Sequence, residues 1–145
     1  MILGQFEAIV GEKGRVAFPS KFRESLGSTL IITQGYENSL IIVSEKGWET
    51  LIEGTKDRPF IHADARSTQR FLLGRASDVQ LDVKGRFIIP SYLRSFARIQ
   101  NEVVFVGLSK YVELWDKKRW VDYNTNLEQH IDEIAKRLTE GSGNE

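Results

Sequence analysis

The sequence predicts a mainly β protein with helices, an α+β fold, in which two tandem repeats share one pseudo-twofold core. The first observation is a repeated motif: residues 13–23 read KGRVAFPSKFR and residues 84–94 read KGRFIIPSYLR. The second is that the match continues, since residues 31–35 align with 103–107 and Trp48 aligns with Trp120. The third is size: each repeat has only about 45 core residues, too few to bury a stable core alone.

Each repeat is predicted to begin with two β runs joined by a tight turn at a glycine, which can supply a positive φ. Pro19 and Pro90 cannot donate to a β ladder, so they end the second run and suit the start of a short helix. The predicted elements are β runs at 5–10, 15–18, 78–81 and 86–89, turns at Gly14 and Gly85, and helices at 20–26 and 91–97.

The second half of each repeat is predicted to be a β pair followed by a helix. Gly27 reads as the stop of the first short helix, and Ser44 and Asp116 read as the N-caps of the trailing helices. Trp48 and Trp120 open those helices, and we expect both to anchor the core. The predicted β runs are 30–34, 40–43, 103–106 and 111–115, with turns containing Gly35 and Gly107.

The remaining segments are helical by pattern. Residues 64–74 read as a helix between the repeats, and an apolar stripe near the C-terminus indicates another helix: Leu127, Ile131, Ile134 and Leu138. This stripe has two open interpretations, packing on its own domain or contact with a neighbouring subunit. The predicted organisation is a first repeat domain at 5–47, connecting helices at 48–75, a second repeat domain at 76–119, a C-terminal helix at 120–140 and a disordered tail at 141–145.

Charge is segregated along the chain although the total is balanced. The 145 residues carry 20 Lys and Arg against 20 Asp and Glu. Residues 11–23 carry a net charge of +3 and residues 82–94 of +2, whereas residues 120–145 carry −4. A polyanion near the surface feels the local charge within about 8–10 Å, so the neutral total does not exclude a nucleic acid partner.

Composition excludes several function classes. Cysteine is absent and the two histidines are 68 positions apart, so we expect no metal site and no cofactor. No apolar run approaches the roughly 20 residues of a membrane span, and no signal peptide is recognisable, which predicts a cytoplasmic protein with no membrane partner. Enzyme motifs are missing as well, so we expect no catalytic residues and no small-molecule substrate.

The two Lys-Gly-Arg turns hold the candidate ligand-binding residues of the sequence. Each carries two cations on a rigid β-turn, and arginine offers a fork for phosphate or for the O6 and N7 atoms of guanine. A single charged turn is most simply a solvated loop. Both copies keep Lys-Gly-Arg while their surroundings differ, which favours a repetitive anionic ligand, and double-stranded DNA is the obvious one.

These residues resemble the MraZ family of bacterial transcriptional regulators. The resemblance rests on the opening MILGQF, the two Lys-Gly-Arg…Pro copies, RFLLG at 70–74, and VFVG at 104–107 with VELWD at 112–116. It implies tandem swapped-hairpin β-barrel domains of the AbrB type and a ring-shaped homo-oligomer associated with the nucleoid. It also implies binding to short direct repeats in promoter DNA upstream of the division and cell-wall gene cluster, usually as a repressor.

The family motif in each hairpin is Asp-x-x-x-Arg. The second copy matches it with Asp82 and Arg86, whereas Gly11 replaces the aspartate before Arg15. An aspartate here would orient the arginine or fix the turn through its backbone, and Gly11 can do neither. The predicted DNA-binding residues are Arg15 and Arg86 as prime contacts, Lys13 and Lys84 as phosphate contacts, and Lys21, Arg23 and Arg94 as a basic surround.

Two other function classes stay open at this point. AbrB-type domains also occur in antitoxins, so the chain could be a protein-interaction module that uses its C-terminal helix. A small enzyme or ligand-binding barrel is the other alternative.

Overall fold

The chain folds into antiparallel strands and helices in the order that the repeats predict. The structure is a computed structural model that describes residues 1–56 and 61–143. The strands are β1 (Ile2–Ile9), β2 (Arg15–Ala17), β3 (Thr29–Gln34), β4 (Leu40–Ser44), β5 (Ser77–Gln80), β6 (Arg86–Ile88), β7 (Glu102–Ser109) and β8 (Val112–Asp116). The helices are α1 (Ser20–Leu26), α2 (Glu45–Lys56), α3 (Ala63–Leu72), α4 (Ser91–Phe96) and α5 (Lys117–Gly143). The predicted α+β class is confirmed.

The two repeats exchange strands. A six-stranded antiparallel sheet has the order β1-β7-β8-β4-β3-β5, and β2 and β6 form a separate two-stranded ribbon. β1 of the first repeat pairs with β7 of the second, and β5 of the second pairs with β3 of the first. Because each repeat supplies an outer strand to the other, neither completes its sheet alone. The predicted sharing of one core is therefore confirmed.

The core contains aromatic residues of both repeats. The ring of Phe18 packs against Phe22 of its own repeat and against Phe87 and Phe105 of the other, with centroids 5.5–6.2 Å apart. These four rings are buried within one continuous apolar cluster. Burial of such rings removes apolar surface from water and fastens the ribbon to the sheet.

Three predicted helix ends are fixed by hydrogen bonds at the residues that the sequence indicates. The Ser44 hydroxyl accepts the N–H of Gly47 at 3.0 Å, and the Asp116 carboxylate accepts the N–H of Arg119 at 3.3 Å. Gly27 ends α1 with φ +83°, and its N–H donates to the Arg23 carbonyl. These three predictions are confirmed.

The turn predicted around Gly107 is wrong. Gly107 lies inside β7, opposite Gly4 of β1, and the strand continues to Ser109. A Cβ on Gly107 would lie 2.9 Å from backbone atoms of Ile2 and Leu3 and from the ring of Phe22. The glycine thus permits close packing of strand and ring rather than a turn. The same long pairing starts β1 at Ile2, three residues before the predicted start.

Helix α5 carries an apolar stripe that is largely exposed beyond half-buried Leu127. Ile131 is 48% exposed and Leu138 73%. The first turns of α5 pack on the sheet, where half-buried Trp120 contacts the ring of Trp115 with centroids 5.3 Å apart. Trp48 on α2 is also half-buried. α5 begins at Lys117, three residues before its predicted start, and continues past the predicted end at residue 140 to Gly143. Residues 144–145 of the predicted tail lie outside the described residues.

None of the helices in the described part of the chain has the length and apolar character needed to cross a membrane.

Candidate nucleic-acid interface

The ribbon of β2 and β6 has one buried face and one outward face. Val16 pairs with Phe87 at its centre, and both side chains are buried in the core. Since side chains alternate along a strand, the flanking residues share the opposite face. This outward face consists of Arg15, Ala17, Arg86 and Ile88.

The two predicted prime contacts are diagonal neighbours on that face. Arg15 pairs with Ile88, and Ala17 pairs with Arg86. Diagonal positions in an antiparallel pair are about 7–8 Å apart, within reach of one ligand for long side chains. Both arginines border one shallow hollow of about 320 Å³ beside β5. The structure therefore brings together two arginines that lie 71 positions apart in the sequence.

Asp82 organises the turn before β6, which we call turn 2 (residues 82–85). Its Oδ1 accepts the backbone N–H groups of Lys84 and Arg86, each at 2.9 Å. Its Oδ2 accepts Nε–H of Arg86 and lies 3.0 Å from Nη2 of the same guanidinium. The backbone hydrogen bond from Arg86 is the largest cause that lowers the pKa of Asp82. One carboxylate thus caps the turn and orients the arginine.

The hydrogen bonds between Asp82 and Arg86 leave three N–H donors of the Arg86 guanidinium for a ligand. A guanidinium has five N–H donors, and Asp82 lies against the edge formed by Nε and Nη2. The two N–H groups of Nη1 and one of Nη2 face away from that edge. This fork matches the two acceptors of a guanine edge or of a phosphate.

The turn before β2, turn 1 (residues 11–14), lacks the capping carboxylate, and its Arg15 N–H donates instead to the Glu12 carbonyl, whereas the Arg86 N–H in turn 2 donates to Asp82. Two other backbone hydrogen bonds are shared by the two turns. The N–H of Gly11 donates to the Arg15 carbonyl at 2.8 Å, and the N–H of Gly14 donates to the Gly11 carbonyl at 3.2 Å. Asp82 and Gly85 repeat this pattern in turn 2. Turn 1 differs at Lys13, which has φ +63°, a left-handed conformation that costs energy for a side-chain-bearing residue.

The predicted lysines are exposed around the ribbon. Lys13 and Lys84 are at the two turns, and Lys21 is in the first turn of α1. Because β2 and β6 are antiparallel, the turns lie at opposite ends of the ribbon, about four residues or roughly 14 Å apart. The ribbon therefore has exposed cations at both ends.

Arg23 and Arg94 lie beside the opposite repeat, which the sequence did not indicate. Arg94 packs against Gly14 of turn 1, and Arg23 packs against Gly85 of turn 2. The reason is the antiparallel pairing: the N–H of Phe18 donates to the Gly85 carbonyl, so the end of β2 lies next to turn 2. Helix α1, which follows, carries Arg23 to that turn.

The described residues hold no group of three or more His, Asp or Glu side chains that could bind a metal ion. His62 has a structural place, because its Nδ1 accepts the N–H of Ala65 and caps α3.

Comparison with known proteins gives the family. The model of the MraZ protein family, whose description adds that it is antitoxin-like, matches residues 1–71 and again 72–141. The chain belongs to the MraZ family. It is 40% identical over 138 residues to the transcriptional regulator MraZ of Caldanaerobacter subterraneus subsp. tengcongensis, covering 95% of this chain and 96% of that protein.

Two further relatives carry the same name. The transcriptional regulator MraZ of Thermoanaerobacter pseudethanolicus is 39% identical over 140 residues, which cover 97% of this chain and 98% of the relative. That of Syntrophomonas wolfei is 35% identical over 140 residues, with the same coverage. The two matches of the family model coincide with the two repeats. The chain is thus a member of a family of transcriptional regulators.

Proposed function

We propose that this chain is a sequence-specific DNA-binding transcriptional regulator that inserts the ribbon of β2 and β6 into the major groove. The observation that carries the proposal is the diagonal pair of Arg15 and Arg86 on the outward face of the ribbon. A major groove is about 12 Å wide and admits a two-stranded ribbon. The ribbon is fastened to the core on its other face, so the arginines stand on a rigid support.

The residues take different roles in this proposal. Arg86, and Arg15 by pseudo-symmetry, read base edges, because a guanidinium fork fits the O6 and N7 atoms of guanine. Lys13 and Lys84 contact phosphates at the two ends of the ribbon. Lys21, Arg23 and Arg94 make up the basic surround.

We further propose a ring-shaped homo-oligomer that binds short direct repeats upstream of the division and cell-wall gene cluster and represses transcription at the nucleoid. The exposed stripe of α5 supports a contact between copies, since apolar residues on an isolated helix face gain by burial. Several ribbons on one frame would engage successive repeats, and effective concentration would supply affinity. Loss of repression in a promoter-reporter strain carrying Arg86→Ala tests the regulatory part.

The binding itself is tested by fluorescence anisotropy with duplex DNA from upstream of the protein's own gene. Arg15→Ala/Arg86→Ala should lose most specific affinity, since each base-reading arginine contributes about 1–3 kcal/mol. The matched control is Arg70→Ala/Lys118→Ala, which removes the same charge from exposed positions on α3 and α5. Equal binding by both double variants, with unchanged circular dichroism, would overturn the proposal.

A protein-interaction module of the antitoxin kind is the second candidate, and the exposure of Ile131 and Ile134 on α5 is the observation that favours it. A folded oligomer that binds no DNA at low salt but co-purifies with one specific protein from its host would establish that function instead.

A further inference from the structure

Each DNA-contacting turn is completed by an arginine of the opposite repeat. Resting on the proposed function, we infer that Arg94 is a positioning residue for Arg15, and Arg23 a positioning residue for Arg86. The functional unit is then a turn of one repeat together with the first helix turn of the other, so neither repeat forms a complete DNA-contacting turn on its own.

The contact is close at both turns. A Cβ built on Gly14 would lie 2.8 Å from Nη1 and 2.9 Å from Cζ of Arg94. A Cβ built on Gly85 would overlap Nη1 of Arg23 and lie 2.8 Å from its Cζ. Each guanidinium therefore occupies the space where a side chain at the glycine would be. This arrangement accounts for the burial of both glycines in otherwise exposed turns.

The contact acts on the residue that binds DNA because the glycines directly precede Arg15 and Arg86. Both glycines have positive φ, +81° and +76°, so the chain reverses there and enters the strand. A planar guanidinium against this backbone limits how far the turn can move. It thereby also limits the movement of the Cα of the arginine that follows. It also places a further cation beside the ligand-binding arginine.

The two turns depend on this support to different degrees. Turn 2 has a second constraint, since Asp82 binds two backbone N–H groups and the Arg86 side chain. Turn 1 has Gly11 at that position and holds Lys13 in a left-handed conformation. Loss of Arg94 should therefore reduce DNA affinity more than loss of Arg23.

A double-mutant cycle on DNA affinity tests the inference, with the protein's own upstream DNA as probe. Arg94→Ala should raise the dissociation constant roughly three- to tenfold in the wild-type background and by less than about twofold once Arg15→Ala is present. In the Arg86→Ala background, Arg94→Ala should retain its full effect. Arg23→Ala should show the reverse pattern, with its effect lost only beside Arg86→Ala.

The cycle separates failure of the inference from failure of the proposed function. If Arg15→Ala and Arg86→Ala leave binding unchanged, the proposed function fails. If they weaken binding but Arg94→Ala couples to Arg86, the function stands and the inference is overturned. The same holds if Arg94→Ala raises the dissociation constant by the same factor in the Arg15→Ala and Arg86→Ala backgrounds. A merely structural role for Arg94 predicts equal effects in both backgrounds.

Conservative variants keep the test decisive if an alanine variant does not fold. Arg94→Met retains the long stem and volume without the charge, and Arg94→Lys retains the charge without the planar group. Both should couple to Arg15→Ala and not to Arg86→Ala. Restoration of wild-type affinity by Arg94→Lys would contradict the role assigned to the planar guanidinium.

Discussion

The guanidinium of Arg94 lies against Gly14, a residue of the other repeat, in the space that a Cβ there would fill. The same relationship joins Arg23 to Gly85. It follows from strand exchange, because the helix that follows one ribbon strand begins beside the turn that precedes the other. The ribbon, like the core, is consequently a single structural unit to which both repeats contribute.

The first prediction concerns stability at this contact. Gly14→Ala should reduce the free energy of unfolding by roughly 2–3 kcal/mol, because the new Cβ requires an unfavourable φ and displaces Arg94. In the Arg94→Ala background the cost should fall by about 1 kcal/mol, since the backbone strain and the 3.2 Å approach of the new Cβ to the Ile89 carbonyl remain. Urea unfolding of the four proteins measures this coupling.

Gly27 offers a control for the same experiment. It also has positive φ, but a Cβ there would meet nothing within 4 Å. Gly27→Ala should therefore cost the same with and without Arg94. Equal costs for Gly14→Ala in both backgrounds would contradict the packing account.

The second prediction separates the two tasks of Asp82. Asp82→Asn keeps an oxygen that accepts the N–H groups of Lys84 and Arg86 but loses the ionic contact with the guanidinium. Asp82→Ala loses both. Both variants should weaken DNA binding, and Asp82→Ala should do so more strongly. Anisotropy titrations measure the order, and wild-type affinity in Asp82→Asn would rule out orientation by charge.

The third prediction is the pH dependence that Asp82 creates. Its pKa is lowered in the folded protein, so its contribution to stability is present above the ordinary value of 3.8 and is lost as pH falls through the lowered pKa. Thermal melts of wild type and Asp82→Asn should diverge at neutral pH and converge below pH 3.8. A constant difference across this range would contradict the assignment.

The fourth prediction supplies the carboxylate that turn 1 lacks. Gly11 has φ −87°, which suits aspartate, and its Cβ would make ordinary contact with the Arg15 carbonyl at 3.6 Å. Gly11→Asp would add a carboxylate acceptor to turn 1, where the Arg15 N–H already donates to the Glu12 carbonyl, and should raise stability by about 0.5 kcal/mol. It should also strengthen DNA binding through Arg15. Gly11→Ala is the matched control. An equal gain in stability from Gly11→Ala would mean that the effect comes from the lower conformational entropy of the unfolded chain and not from the carboxylate.

The fifth prediction concerns Glu113, whose pKa is raised chiefly by burial, although the Trp115 indole N–H donates to it at 3.0 Å. An acid with a raised pKa destabilises the fold increasingly as pH rises above its ordinary value of 4.5. Glu113→Gln, which keeps an acceptor for Trp115, should therefore raise Tm at pH 7.5 and leave it nearly unchanged at pH 4. A lower Tm at pH 7.5 would contradict this sign.

The sequence predicted the features that depend on local chemistry. The caps at Ser44 and Asp116 and the stop at Gly27 follow from side chains or backbone freedom within three or four residues. The placement of Arg94 could not be predicted in this way, because it depends on the register between strands of different repeats. Gly107 shows the same limit: glycine fits a turn and a close strand contact equally, and only the partner strand decides.

The central claim is that the outward face of the ribbon meets DNA, and site-directed cross-linking tests it most directly. The chain has no cysteine, so Ala17→Cys places a single thiol on that face, directly opposite Arg86 and two residues from Arg15 along β2. Duplex DNA from upstream of the protein's own gene would carry a disulfide tethered in the major groove, and Thr139→Cys on exposed α5 is the control. The account predicts rapid exchange at Ala17→Cys that free competitor DNA of the same sequence suppresses. Coupling no faster than at Thr139→Cys, by a protein that still binds the DNA, would contradict it.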